Sequence, residues 1–101
     1  MTAALRAVDY ARARGMGVII HNQPLGIGSA ALVHLAAARA DHLGHAIECA
    51  GPLMWKEDLL VNGLHYSDGY VEVPTGPGWG VEVDRDRLDT HLAAAPVLLR
   101  R

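Results

Sequence analysis

Met16-Gly17-Val18-Ile19-Ile20-His21-Asn22-Gln23-Pro24 decides the fold. Met16 to Ile20 is a short apolar run rich in β-branched residues, and it stops abruptly at polar residues and a proline. Runs of this kind are strands of parallel sheets buried on both faces, where no apolar-polar alternation is required. Upstream, Thr2 to Arg14 reads as a helix: Ala4, Leu5, Val8 and Ala11 recur at helical spacing, Arg6 and Asp9 can face water, and Gly15 stands at C′. Downstream, Pro24, Gly26 and Gly28 make a loop, and Ser29 is expected to cap a second helix through Ala38. After Asp41-His42-Leu43-Gly44, the segment His45-Ala46-Ile47-Glu48 reads as a second short strand delivering Glu48 at its end. The predicted order is helix, strand, helix, strand, with Ala46 to Glu48 extended beside Met16 to Ile20 and parallel to it.

From Ala50 the character changes. Gly51-Pro52 is expected to break the chain, and Gly69-Tyr70-Val71-Glu72-Val73-Pro74 alternates like a strand. Thr75-Gly76-Pro77-Gly78-Trp79-Gly80 must be irregular, Val81-Glu82-Val83 is a candidate short strand, and Asp84 is placed to cap a short helix through Leu88 and Leu92. The Ala-rich end before Arg100-Arg101 has no clear pattern.

Composition narrows the function classes. The 101 residues, 50% hydrophobic and 20% charged, allow one domain or part of one. Nine Lys and Arg against eleven Asp and Glu leave a formal charge of −2, so there is no basic field for nucleic acid or an anionic membrane surface. No apolar stretch reaches the roughly 20 residues needed to cross a bilayer. A lone Cys49 excludes an internal disulfide framework and a Cys-rich zinc site, and predicts a soluble cytoplasmic protein.

His21 and Glu48, each at the end of a predicted strand, stand 27 positions apart. A (β/α)8 barrel of about 250 residues uses about 30 per strand-helix unit, and its active site lies at the C-terminal ends of the strands. The interval therefore fits neighbouring barrel strands that aim a His and a Glu into one pocket. The text from His21 through Gly26-Ile27-Gly28-Ser29 to Ala38 resembles the seventh barrel strand and following helix of the mandelate racemase and muconate-lactonizing branch of the enolase superfamily, in particular its sugar-acid dehydratases. Glu48 with Gly51-Pro52-Leu53, and the Asp68-Gly69, Val73-Pro74 and Gly76-Pro77-Gly78-Trp79-Gly80 series, is similar to that family's eighth strand and return segment.

The resemblance implies an α/β fold, the C-terminal portion of a TIM-type barrel: residues 1–52 as the last strand-helix units and residues 53–101 as a return segment with short strands and a short helix. It implies a dehydratase, racemase or epimerase chemistry in which a base removes the proton α to a carboxylate and Mg2+ holds the enediolate. His21 would be the base and Glu48 the group facing the substrate carboxylate, so both are catalytic and substrate-binding by carry-over. The family's acidic metal ligands, its Lys motif and the Asp partner of the base belong to earlier strands. No metal ligand is therefore assigned here, no Mg2+ is expected to bind this chain alone, and no turnover is expected without the missing N-terminal part or a partner chain. The expected substrate is a small sugar acid, and uncovered edges predict that the isolated chain is poorly folded, aggregated or a homo-oligomer. A stand-alone interaction or assembly module derived from the barrel is the competing interpretation.

Simpler roles compete for individual residues. His21 could satisfy loop amides, and Glu48 could pair with a nearby Arg. His34, inside an Ala/Leu helix, fits a core or interface better than a ligand set. His42, His45 and Glu48 form a His-x-x-His-x-x-Glu series, but Gly44 interrupts any helix there and the spacing is not that of a zinc peptidase. Gly76 to Gly80 lacks the Lys-Ser or Lys-Thr of a phosphate loop. Trp55 and Trp79 could line a pocket, although burial against the barrel wall is the commoner use of such large apolar surface.

Overall fold

The computed structural model describes residues 1–22 and 24–95; Gln23 and residues 96–101 lie outside them. The first helix, α1 (Thr2–Ala13), ends as its sequence requires. Gly15 takes a left-handed φ of +66°, and the amides of Arg14 and Gly15 close back on Ala11 and Arg12. Val8 is buried and Leu5 half-buried.

The two predicted strands pair in parallel, but they are shorter and shifted. β1 is His21–Asn22 and β2 is Glu48–Cys49, with His21 opposite Glu48 and Asn22 opposite Cys49. The Glu48 amide donates to the Ile20 carbonyl at 2.9 Å, which sets that register. Met16 to Ile20, expected as a strand buried on both faces, lies outside β1, and of the run Ile20 alone bonds across to β2 through its carbonyl. Ile20 is buried, whereas Met16 and Ile19 expose 58% and 61% of their surfaces. The cause is pairing: a parallel strand becomes a two-sided core element only with neighbours on both edges, and among the described residues only β2 lies beside it.

Between the strands runs α2 (Ile27–Ala37), followed by a single 3-10 turn, Ala40–His42. Ser29 does not cap α2. The cap is Gly26, at φ +60°, and Ser29 sits inside the first turn, 1% exposed, its hydroxyl donating back to the Pro24 carbonyl at 2.5 Å. Gly26 can turn the chain where a side-chain-bearing residue is strained, so the helix begins earlier than a hydroxyl cap would place it. Ile20, Leu35 and Ala36 form the core, with Leu5, Leu32, Leu43 and Ile47 packed around them.

Gly51-Pro52 does not break the chain but opens a one-turn helix, α3 (Gly51–Met54), because proline is tolerated in a first turn where no amide bond is lost. The expected strand over residues 69–74 contracts to a tight hairpin, β3 (Tyr66–Ser67) with β4 (Tyr70–Val71), antiparallel across Asp68-Gly69. Both turn residues have positive φ, +49° and +81°, the type I′ geometry that matches strand twist. Val81-Glu82-Val83 yields one bridge, Val83 to Leu60, flanked by bonds from Val61 N to Glu82 O and from Asp84 N to Leu59 O. Leu60, 1% exposed, is its buried centre. Asp84 caps α4 (Arg85–Thr90) as expected, accepting from the Arg87 amide at 2.9 Å, but the helix stops before Leu92.

The radius of gyration is 15.4 Å, against about 13 Å for a closed domain of 100 residues. Together with Met54, Trp55 and Tyr70, exposed by 56%, 57% and 80%, this marks a chain with more apolar surface than it covers. Trp55 is thus not buried as expected. Trp79, 37% exposed, instead leans on His34 with ring centroids 5.5 Å apart.

Candidate active site at the two strand ends

Neighbouring strands lie about 4.8 Å apart, and registered residues of a parallel pair project to the same face. His21 and Glu48 are such a pair, and their side chains meet, Nε2 to Oε2 at 3.4 Å. Each is about half exposed, 55% and 54%, so the pair stands at the open end of the strands and not in the core. The two side chains are in contact and leave no gap between them for a small acid. A carboxylate would have to separate the two or approach them from the solvent side.

The loops that follow both strands contribute to one cavity of about 430 Å³, lined by Leu25 after β1, by Met54, Trp55, Lys56, Glu57 and Leu59 after β2, and by His91. Its wall is largely apolar with a few charged groups, as in small-molecule sites, but His21 and Glu48 are not among its lining residues. Tyr66 was not singled out in the sequence. Burial raises its phenol above the usual value, and the nearby Cys49 and Asp58 add to the effect. It keeps its proton through neutral pH and can donate a hydrogen bond but not act as a base. No spacing rule would have found it, since a long return brings it towards the end of β2.

The other titratable residues go elsewhere. His42 turns to Asp41 and Arg12, so it does not join His45 and Glu48 in a ligand set. His34 is half-buried and its ring nitrogen bonds the Trp79 carbonyl at 3.1 Å, tying α2 to the glycine-rich loop. Arg39 grips Asp9 with two bonds of 2.6 and 3.0 Å, which holds the Asp9 carboxyl below its ordinary range, and the His42 contact does the same for Asp41. Among the described residues no three His, Cys, Asp or Glu side chains gather as metal ligands. The residues present do not by themselves fit a Mg2+ ion. No described helix is long and apolar enough to cross a membrane.

The sequence profile of the enolase C-terminal domain-like family matches residues 1–87. The chain belongs to that family. An enolase-type C-terminal domain is a TIM-type barrel, and the solved relatives agree with this. The muconate lactonizing enzyme from Klebsiella pneumoniae superimposes with a TM-score of 0.81 at 31% identity, over 89% of this chain and 25% of that one. Among curated relatives, muconate cycloisomerase 1 of Rhodococcus opacus is 42% identical over 64 residues, 63% of this chain and 17% of that protein. The probable glucarate dehydratase of Streptomyces coelicolor is 44% identical over 79 residues, 76% of this chain and 18% of its own length. The enolase-type chain thus spans under a fifth of the length of these two curated relatives, and its family comprises enzymes named for acid substrates.

Proposed function

We propose that this chain is the closing part of an acid-processing barrel, its β1 and β2 serving as the seventh and eighth strands, and that it supplies the base and the carboxylate-facing acid for abstraction of an α-proton. The registered His21–Glu48 pair at one end of two parallel strands carries this reading. The relatives named for muconate and glucarate favour a small organic acid, with a sugar acid first.

In the step envisaged, His21 Nε2 takes the proton from the carbon next to the carboxylate. The C–H electron pair moves into the carboxylate, making an enediolate with a second negative charge on its oxygens. Glu48, as the neutral acid, donates a hydrogen bond to one of those oxygens. Mg2+, which would offset the remaining charge, must be held by residues outside the described set, so the 101-residue chain alone should not turn over substrate.

The test is solvent deuterium exchange at the α-carbon across a panel of sugar acids, in a full-length relative carrying this segment. His21→Asn should slow exchange by the 10²- to 10⁴-fold, roughly, that a positioned base contributes, with Mg2+ affinity retained. An unchanged rate would leave His21 a strand-end residue without a role in the chemistry.

A further inference from the structure

The loop that leaves His21 passes Pro24 and reaches Gly26, and three contacts fix its far end. Ser29 is the fully buried polar side chain among the described residues, 1% exposed, and its hydroxyl donates to the Pro24 carbonyl at 2.5 Å. Gly28 lies so close that a Cβ there would stand 3.0 Å from Pro24 Cβ and 3.2 Å from Pro24 Cγ. Gly26, at φ +60°, faces the return segment closely enough that a Cβ there would stand within 3.7 Å of Asp58, Leu59 and Leu60. A buried hydroxyl is expensive unless it is bonded, and this one spends its bond on the loop and not on the helix that carries it.

We infer that Ser29 is a positioning residue for His21: through the Pro24 carbonyl it anchors the loop that sets His21 opposite Glu48. This rests on the reading of His21 as the base, but the anchoring can be tested without any turnover. Loss of the hydroxyl removes the one side-chain bond that holds the Pro24 carbonyl to α2 and loosens the segment between β1 and α2, so the Glu48 amide bond to Ile20 opens more often. Opening of such local units is what amide hydrogen exchange reads.

Hydrogen exchange followed by mass spectrometry on the 101-residue chain provides the test, with peptides covering residues 18–26 and 46–50 compared against the β3–β4 hairpin as internal reference. Ser29→Ala should accelerate exchange in the first two by about tenfold, the factor for one buried bond worth roughly 1.4 kcal/mol. The reference should not change, and Ser29→Thr, which keeps the hydroxyl, should restore protection. Gly28→Ala pushes on Pro24 from the helix side and should reproduce the local acceleration, which keeps the inference testable if Ser29→Ala does not fold. Equal acceleration at the reference, no acceleration around His21, or failure of Ser29→Thr to restore protection would each overturn the assignment. Because no substrate is involved, such a failure leaves the role of His21 as base untouched. Conversely, local acceleration by Ser29→Ala combined with an unchanged α-proton exchange rate in His21→Asn would remove the base and leave the anchor.

Discussion

Ile19→Lys should shift the self-association of the 101-residue chain by about two orders of magnitude. Ile19 lies beside the open edge of β1 and exposes 61% of its surface. Full burial of an isoleucine stabilises by roughly 1.5–3 kcal/mol, so covering the exposed part recovers about 1–2 kcal/mol per copy, and about 2–4 kcal/mol when two copies cover each other. At 1.4 kcal/mol per factor of ten, the middle of that range corresponds to about a hundredfold in the dissociation constant. Lysine removes the apolar area and places a charge that any edge-to-edge partner must desolvate, a device by which natural sheet edges avoid association. Sedimentation velocity over a micromolar concentration series would measure the change. A wild-type chain that stays monomeric and unfolds in one cooperative thermal transition would refute the reasoning, because its uncovered apolar surface would then cost nothing. An unchanged constant in the variant would show that association uses another face.

Leu60→Ala should lower stability by about 2–5 kcal/mol, the range for a fully buried leucine, read as a displaced urea midpoint; an effect no larger than that of the exposed Leu92→Ala would contradict its place as the centre of the return segment. Asp84→Ala should cost about 1 kcal/mol through loss of the α4 cap, and Asp84→Ser should recover most of it. Gly80→Ala should destabilise by about 1–3 kcal/mol, since φ is +69° and the added carbon would meet Pro74 at 2.7 Å; a neutral outcome would mean that the loop has room which this packing denies. For Asp9 and Asp41 the folded values lie below the ordinary 3.8, so their ion pairs contribute fully above that value and are lost only as the pH falls beneath it, through the lowered values. Carboxyl titration by NMR should show both groups titrating below 3.8, and a midpoint at or above it for either would contradict the contacts with Arg39 and His42.

What the sequence disclosed tracks how local the cause is. The α1 stop at Gly15 and the Asp84 cap depend on a few adjacent residues, and both stand as expected. The parallel juxtaposition of His21 and Glu48 followed from their interval, because a barrel unit has a nearly fixed length. Met16 to Ile19 was misread because a buried strand needs a neighbour on each edge, and no pattern inside the run says whether both are present. Ser29 misled for the opposite reason. Its residue type suits a cap, yet the left-handed Gly26 had already turned the chain. The Tyr66 phenol near Cys49, and the contact of His34 with Trp79 across 45 positions, arise from the path of the return segment and leave no local trace.

The parallel pairing of His21 with Glu48 also bears on how such a segment can diverge. Side chains alternate along a strand, so a slip of one residue would turn Glu48 to the opposite face while leaving its neighbours well paired. The bond from the Glu48 amide to Ile20 is thus the point where an insertion would be most damaging, although it lies in the backbone and constrains no side chain. The connecting stretch around Gly44 is exposed and carries no such constraint. Lineages of this segment should therefore accumulate length changes there while keeping the count within both strands fixed, and His21 and Glu48 would travel together through sequence change as one inherited unit.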